Sequence, residues 1–326
     1  MSIISVSHLS KHFQVHKKEP GLSGSVRSLF LRKYETVRAI NDISFDINEG
    51  ELVGFIGPNG AGKTTTLKCL SGLLYPTNGN ILVLGFNPYE RKTEFLKNIS
   101  LVMGQKNQLW WDLPATDTFL LNKEIYDIPD EKYKIVLEEL TKLLEVEDIL
   151  KMPVKKLSLG QRMKMELMAS LIHSPNVLFL DEPTIGLDVL MQKKLREFIR
   201  EYNIRFKATI ILTSHYMQDV EQLCKRVIII NFGRIIFDGL LSSLVEKYSP
   251  YKKIRAVLAQ YADPKKIDRL GKISRFEYPE LILEVPNKKA NSTAASILKN
   301  FQVEDITIED PQIEDVIAKV YRENKR

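Results

Sequence analysis

The sequence predicts an α/β fold with a buried, mainly parallel sheet, followed by a smaller α+β unit. Glu51–Ile56 is an apolar strand that ends at a glycine-rich loop, and a helix follows the loop. Val177–Leu180 and Thr209–Leu212 are short apolar runs, which suit strands of a parallel sheet covered on both faces. After residue 240 the pattern changes to short strands and amphipathic helices, so we place a domain boundary there.

Further strands of the first part are marked by alternation or by short apolar runs. Ile43, Phe45 and Ile47 share one face, as a half-buried strand requires. Two apolar runs flank the turn Asn231-Phe232-Gly233 and predict a hairpin of Val227–Ile230 with Arg234–Phe237. The remaining predicted elements are strands at residues 2–7, Asn80–Leu84 and Ile99–Met103, and a helix from Gly62 to about Leu73.

Two segments interrupt this strand pattern. Residues 106–165 lack alternation, and Val136, Leu140 and Leu144 share one helical face, so we expect a helical subdomain there. Residues 17–38 form a basic insert, with a weak amphipathic-helix pattern at Val26–Leu31. A solvated loop and a contact with anionic membrane headgroups both fit this insert.

The last part, residues 241–326, reads as a small α+β domain. Its final helix places Ile313, Val316, Ile317 and Val320 on one apolar face. The predicted strands are Lys253–Leu258, Ile273–Phe276 and Leu281–Val285, and the predicted helices are Ser292–Phe301 and Pro311–Tyr321.

The composition is that of an ordinary globular protein. Of the 326 residues, 44% are apolar and 27% are charged, with a formal charge of +6. The apolar runs are far shorter than the ~20 residues that span a bilayer. We therefore expect any membrane role to come through a partner, and the mild positive charge does not indicate a nucleic-acid partner.

The glycine-rich loop predicts a phosphate-binding site. Gly57-Pro58-Asn59-Gly60-Ala61-Gly62-Lys63-Thr64 fits the pattern G-x-x-x-x-G-K-[ST] between a strand and a helix. Glycines let successive N–H groups point at phosphate oxygens, and the helix adds its positive N-terminal end. Lys63 can reach the β- and γ-phosphates, the Thr64 hydroxyl can ligate Mg²⁺, and Thr65 can donate to an earlier phosphate.

A pair of carboxylates follows the second apolar run. Asp181 and Glu182 come directly after Val177–Leu180. Ligands of open α/β sheets bind at the carboxyl ends of the strands, which would bring both acids beside the phosphate loop. Asp181 is then the predicted Mg²⁺ partner, and Glu182 is predicted to orient and deprotonate an attacking water.

The segment before the predicted helix at residue 160 carries the most specific resemblance. Leu157-Ser158-Leu159-Gly160-Gln161-Arg162 resembles LSGGQ, the signature of ABC transporter ATP-binding subunits, with Leu159 in place of glycine. The resemblance covers about residues 1–240 and implies a P-loop NTPase with a RecA-like core, an antiparallel β subdomain and a helical subdomain. It also implies that Ser158, Leu159, Gly160 and Gln161 meet the ATP held by a second subunit.

Other positions match the family's functional elements in chain order. Phe13 resembles the aromatic that stacks on adenine, although a core phenylalanine is the alternative. Gln105 resembles the glutamine that contacts Mg²⁺ or the attacking water. Asp188 resembles the residue of the loop that crosses the dimer interface, and His215 resembles the histidine that senses the γ-phosphate.

Two adjacent tryptophans indicate the subtype. Trp110 and Trp111 follow Gln105 in a loop that ends at Pro114. This loop, the basic insert and the C-terminal extension resemble the branch whose partners are ABC-2-type permeases, so we predict that both tryptophans contact a permease. A place for both in the core is the alternative.

The resemblance implies an ATPase that binds ATP and Mg²⁺, dimerises on ATP as a homodimer or heterodimer, and powers transport, with export favoured, at the cytoplasmic face of the membrane. The alternative is an ABC ATPase that acts on nucleic acid or ribosomes. Against it, the chain has one phosphate loop, no sustained heptads and no dense basic-aromatic patch.

Overall fold

The computed structural model describes residues 2–16, 34–104 and 108–324. The chain divides into two compact units, Met1–Gly239 and Leu240–Arg326. The strands are β1 (Ser2–His16), β2 (Tyr34–Asn48), β3 (Leu52–Ile56), β4 (Asn78–Val83), β5 (Ile99–Met103), β6 (Val177–Asp181), β7 (Thr209–Thr213), β8 (Arg226–Asn231), β9 (Arg234–Leu240), β10 (Tyr251–Leu258), β11 (Lys272–Glu277), β12 (Glu280–Pro286) and β13 (Val303–Glu309). The helices are α1 (Lys63–Leu70), α2 (Thr93–Leu96), α3 (Ala115–Ile125), α4 (Asp130–Leu144), α5 (Leu159–Leu171), α6 (Val189–Phe206), α7 (Met217–Leu223), α8 (Leu241–Tyr248), α9 (Pro264–Ile267), α10 (Ala290–Asn300) and α11 (Ile313–Glu323).

An antiparallel three-stranded sheet opens the first unit, in the order β2-β1-β4. Ile43, Phe45 and Ile47 are buried on one face of β2, as their alternation predicts. Strands β1 and β2 are longer than the sequence predicts. The prediction missed their outer ends because those residues are largely exposed and show no alternation of apolar and polar residues. The basic insert is therefore shorter than the predicted 17–38, since residues 34–38 belong to β2; residues 17–33, with the Val26–Leu31 pattern, lie outside the described residues.

A six-stranded sheet forms the centre of the first unit, in the order β5-β6-β7-β3-β8-β9. Neighbouring strands from β5 to β8 run parallel, so the carboxyl ends of β3, β6 and β7 meet at one edge. Every residue of β6 and β7 is buried, which explains their unbroken apolar sequences. The hairpin prediction is confirmed, because β8 and β9 are neighbours in this sheet.

Helices α3 and α4 and the start of α5 occupy the segment predicted to be helical. Tyr133, Val136, Leu140 and Leu144 form the buried face of α4. In the helical segment, a short 3₁₀ turn at Val154–Lys156 lies just before Ser158.

The second unit is a four-stranded antiparallel sheet in the order β11-β12-β10-β13. With α9 and α10 this gives the split βαβ arrangement β-α-β-β-α-β. Helix α10 buries Ala290, Ala294 and Ile297 against the sheet. The prediction missed α8, α9 and the edge strand β13. In β13 the half-buried positions Val303 and Ile306 are separated by Glu304 and Asp305, so they lack a period of two.

Within the part of the chain that the structure describes, no helix combines the length and the apolar character needed to cross a membrane.

Candidate active site

The loop after β3 lies against its neighbours so closely that glycine is required. A Cβ at Gly57 would lie 2.4 Å from the Ile230 carbonyl oxygen. Gly62 has a φ of +113°, and a Cβ there would lie 2.5 Å from the Ala39 carbonyl oxygen. The loop thus turns tightly between β3 and α1 at two positions where only glycine fits. Pro58, Asn59 and Gly60 are exposed at its tip, and Ala61 is buried.

Lys63 folds back over this loop. Its Nζ donates to the carbonyl oxygens of Gly57 at 2.7 Å and Pro58 at 3.2 Å, and the residue is 5% exposed. Burial lowers the pKa of Lys63, against the opposing attraction of Glu182 and Asp181. A cation held by neutral carbonyls at a helix N-terminus can turn to an incoming phosphate, which offers it an opposite charge.

Helix α1 begins beside this lysine without a side-chain cap on its first N–H groups. Uncapped N–H groups and the helix dipole form an anion site. Thr64 and Thr65, in the first turn, are half-buried and carry hydroxyls at that end. The loop and helix end together present donors over a short stretch of backbone.

Asp181 lies at the carboxyl end of β6 and bridges two neighbouring elements. Its Oδ2 accepts from the Thr64 hydroxyl at 2.7 Å, and its Oδ1 accepts from the Thr213 hydroxyl at 2.7 Å. The register of β6 and β7 pairs Asp181 with Thr213 directly. The sequence prediction missed Thr213; a polar residue ending the apolar run Thr209–Leu212 was the available signal.

Glu182 and His215 follow the ends of β6 and β7 and contact each other. The Glu182 Oε1 lies 2.7 Å from the His215 Nε2. The Glu182 backbone N–H donates to the Thr213 carbonyl at 3.1 Å and hydroxyl at 3.0 Å, and its φ of 55° turns it sharply out of β6. The strand register therefore brings together two residues that are 33 positions apart in the chain.

The end of β5 approaches the same edge. A Cβ at Gly104 would lie 2.2 Å from the Glu182 carbonyl oxygen, and the Gly104 N–H donates to the Asp181 carbonyl at 2.9 Å. Gln105 is the next residue in the chain, but it lies outside the described residues.

Ser158 caps α5 through a capping box. Its hydroxyl accepts from the Gln161 N–H at 3.2 Å, and the Gln161 side chain accepts from the Ser158 N–H at 3.0 Å. Leu159, the departure from the family pattern, is the first helical residue and leaves this cap intact. Gly160 packs against Met191, where a Cβ would lie 2.8 Å from the Met191 Cγ.

Asp188 caps the helix that packs near this glycine. Its side chain accepts from the Met191 N–H at 2.9 Å and starts α6. Val189 and Leu190, directly after it, are 76% and 67% exposed. Leu159 is exposed as well, so an apolar surface surrounds the two capped helix ends.

The residues at the sheet edge fit a magnesium nucleotide. The glycine loop with Lys63 suits a triphosphate, and the Thr64 hydroxyl with the Asp181 carboxylate offers the oxygen ligands that Mg²⁺ prefers.

Comparisons with known proteins identify the family. The ABC transporter profile matches residues 40–185, and the profile of the EvrA-like ABC transporter C-terminal domain matches residues 250–309. The ABC transporter ATP-binding protein NatA of Bacillus subtilis is 36% identical over 217 residues, covering 67% of this chain and 88% of NatA. The chain belongs to the family of ABC transporter ATP-binding proteins. It is an ATP-binding and ATP-hydrolysing subunit, and subunits of this family dimerise and work with membrane permeases.

A second relative agrees with this assignment, and a solved structure shares the fold. Nod factor export ATP-binding protein I of Burkholderia orbicola is 33% identical over 215 residues, covering 66% of this chain and 70% of the relative. A dimeric ATP-binding cassette in a post-hydrolysis state, bound to ADP and Pi, has a TM-score of 0.60 at 22% identity and covers 73% of this chain and 98% of that one. At that identity the likeness establishes the P-loop NTPase fold.

Three aromatic residues of the ABC ATPase that the sequence singled out lie on β1 and in the loop before α3. Phe13 is half-buried on β1, with the Lys11 Nζ 5.1 Å from its ring centroid. Trp110 and Trp111 are 50% and 49% exposed, so they are not core residues. The Arg162 guanidinium lies 5.4 Å from the Trp111 ring centroid, which connects this loop to α5.

Proposed function

We propose that two copies of this chain close around two MgATP molecules and drive export through a separate ABC-2-type permease. The observation that carries the proposal is the convergence of Lys63, Asp181 and Glu182 at one sheet edge, next to an uncapped helix N-terminus. One chain also carries the second half of the site, Ser158–Gln161, so two copies form two complete sites. Loss of hydrolysis on replacing Glu182, with ATP binding retained, is the experiment that tests it.

Binding would use the glycine loop and its flanking residues. The loop N–H groups and Lys63 hold the phosphates, Thr65 donates to an earlier phosphate, and Phe13 stacks on adenine. Thr64 and Asp181 hold Mg²⁺ together with Gln105. The bound Mg²⁺ would neutralise charge that develops on the transferred phosphoryl group.

Hydrolysis would use the pair at the ends of β6 and β7. The Glu182 carboxylate accepts a proton from the attacking water, and its fixed turn aims it out of the buried strand. His215, within 2.7 Å of the Glu182 Oε1, orients that carboxylate and contacts the γ-phosphate. Closing two subunits over the site removes bulk water and strengthens these interactions.

The dimer would cover the apolar surface around the capped helix ends. Leu159, Val189 and Leu190 are exposed in the single chain and lie beside Ser158 and Asp188. Burial of such residues favours association. The Ser158 hydroxyl and the N-terminus of α5 would then face the γ-phosphate held by the other copy.

The proposal of export rests on the relatives. One relative at 33% identity is named for export, and the C-terminal unit matches the profile of an EvrA-like ABC transporter domain. We place the protein at the cytoplasmic face, with the basic residues of 17–33 beside anionic headgroups. Replacing the basic residues of this segment by Gln should weaken binding to anionic liposomes at low salt. The residues to replace are Lys17, Lys18, Arg27, Arg32 and Lys33. Unchanged binding would indicate that this segment is a solvated loop.

The permease contact would lie on the tryptophan loop, residues 108–114. Glu166 on α5 accepts from the backbone N–H groups of Gln108 at 2.9 Å and Leu109 at 3.3 Å. The Lys155 N–H donates to the Trp111 carbonyl at 2.9 Å. The loop is thus bonded to the residues before and within the signature helix, so a movement of α5 on ATP closure would carry Trp110 and Trp111 with it.

Replacing both tryptophans by Ala should separate ATP hydrolysis from transport. Exposed aromatic side chains on a well-fixed loop often contribute most of the binding energy of a protein interface. Truncating such a side chain to Ala weakens binding by about 2 kcal/mol or more. We expect Trp110→Ala/Trp111→Ala to co-purify poorly with membranes that contain the permease, while the isolated subunit keeps its ATPase rate. Affinity capture from solubilised membranes measures the first property and phosphate release the second.

Tyr261→Ala is a matched control, since Tyr261 is an exposed aromatic residue of the second unit. It should co-purify as the wild type does. Equal recovery of permease with the double variant and the wild type would remove the tryptophans from the interface.

A further inference from the structure

A buried carboxylate behind the catalytic edge has no role in the function described so far. Asp219, on α7, is 0% exposed. Its Oδ2 accepts from the hydroxyls of Thr184 at 2.5 Å and Ser214 at 2.6 Å, and its Oδ1 accepts from the Arg196 Nη1 at 2.8 Å. All three donors are buried as well. This carboxylate therefore connects three other segments of the chain, which the sequence pattern did not predict.

Each donor belongs to a segment with a proposed part in catalysis. Thr184 lies two residues after Glu182, in the turn that leaves β6. Ser214 directly precedes His215 and also accepts from the Tyr216 N–H at 3.0 Å, so its hydroxyl fixes the backbone on both sides of the histidine. Arg196 lies on α6, the helix that Asp188 caps.

We propose that Asp219 is a positioning residue that sets the Glu182–His215 geometry and ties it to α6. The inference rests on the proposed function, because it assigns Asp219 an effect only through those two residues. One oxygen receives a hydroxyl from each catalytic turn, so neither turn can shift without breaking a bond to the same atom. The other oxygen holds α6, so a shift of that helix on dimer closure reaches both turns through one side chain.

The bonds are strong enough to hold this arrangement. Both hydroxyls and the guanidinium donate to a carboxylate in a site closed to water, where such bonds are shorter and about twice as strong as neutral ones. An amide at this position keeps the shape but replaces one acceptor oxygen by a donor. If the amide NH₂ faces the guanidinium, two donors meet; if it faces the hydroxyls, both hydroxyls lose the acceptor to which they now donate.

Steady-state hydrolysis by Asp219→Asn tests the proposal. We expect kcat to fall roughly 10- to 100-fold, since small misplacements of catalytic groups have effects of that size. The KM for ATP should change far less, because the phosphate loop makes no bond to Asp219. Thr184→Val and Ser214→Ala each remove one donor and keep the Asp219–Arg196 ion pair, so they report the same effect if the Asn variant fails to fold.

The conservative variants separate positioning from general stability. Thr184→Ser and Ser214→Thr keep a hydroxyl and should restore most of kcat. Thr141→Val, on α4, removes another buried hydroxyl that donates to a backbone carbonyl, Leu137 at 2.6 Å, and should leave kcat unchanged. If kcat fell in all these variants in proportion to their melting temperatures, the proposal would be overturned.

A double-variant cycle with His215→Ala gives the decisive reading. Because Asp219 holds the turn of His215 as well as the turn of Glu182, Asp219→Asn should lower kcat by a smaller factor once His215 is absent. An equal factor in both backgrounds would assign Asp219 a structural role only. Wild-type turnover in Asp219→Asn and Thr184→Val, with Glu182→Gln inactive, would overturn this inference alone; full turnover in Glu182→Gln would overturn the proposed function itself.

Discussion

Replacing Glu182 by Gln should lower the rate of ATP hydrolysis by about 10²- to 10⁴-fold, the usual contribution of a general base. Gln keeps the size of the side chain and its place beside His215, but it cannot accept the proton of the attacking water. The phosphate loop, Lys63 and Asp181 are unchanged, so ATP should still bind. The variant should accumulate as an ATP-bound dimer, which size-exclusion chromatography with light scattering detects.

Glu139→Gln provides the matched control for this variant. Glu139 is a partly buried glutamate on α4 that contacts the Arg205 guanidinium, as Glu182 contacts the His215 imidazole. Its replacement should leave hydrolysis unchanged. Glu182→Gln turning over at the wild-type rate would show that another group accepts the proton.

Lys63→Ala should lose most of its affinity for ATP. The Lys63 ammonium is buried, and its present partners are the carbonyl oxygens of Gly57 and Pro58. Triphosphate oxygens offer it charge-assisted bonds, and hydrogen bonds to charged groups contribute about 1.5–3 kcal/mol each. Two such bonds correspond to a rise in the Kd of roughly 100-fold or more, which titration with a fluorescent ATP analogue measures.

Lys68→Ala controls for charge and for the helix, because Lys68 lies in the last turn of the same α1. It should bind ATP as the wild type does. A Kd for Lys63→Ala within twofold of wild type, in protein that melts normally, would place the phosphates elsewhere.

Local signals in the sequence accounted for the elements that carry this chemistry. The strand, glycine loop and helix at 51–73 follow from apolar runs and glycines that act within a few residues. The strand order β5-β6-β7-β3 could not be predicted from such local signals, because parallel pairing joins segments far apart in the chain. Asp181 and Glu182 could therefore be named as a pair, whereas their contacts with Thr213 and His215 depend on the β6–β7 register.

Buried polar groups were the hardest part to predict. Asp219 falls in the first turn of α7, where an acidic residue favours any helix start, so its sequence context is unremarkable. Its role emerges only when three other segments bring their donors to it. The same holds for Glu166, whose partners are backbone groups of a loop that precedes it by 57 and 58 residues.

In the proposed dimer, each ATP is held by the phosphate loop of one copy and completed by the signature helix of the other. Mixing two inactive variants tests it. Lys63→Ala loses the loop and keeps the signature. Ser158→Asp loses the signature, because its negative charge repels the γ-phosphate, while Asp remains a good cap for α5.

Each variant alone should hydrolyse ATP at background rate. A mixed dimer contains one intact site, formed by the loop of the Ser158→Asp copy and the signature of the Lys63→Ala copy. Phosphate release should rise on mixing and depend on the ratio of the two proteins. Background activity at every ratio, with mixed dimers demonstrated by differential tagging, would contradict a site shared between two copies.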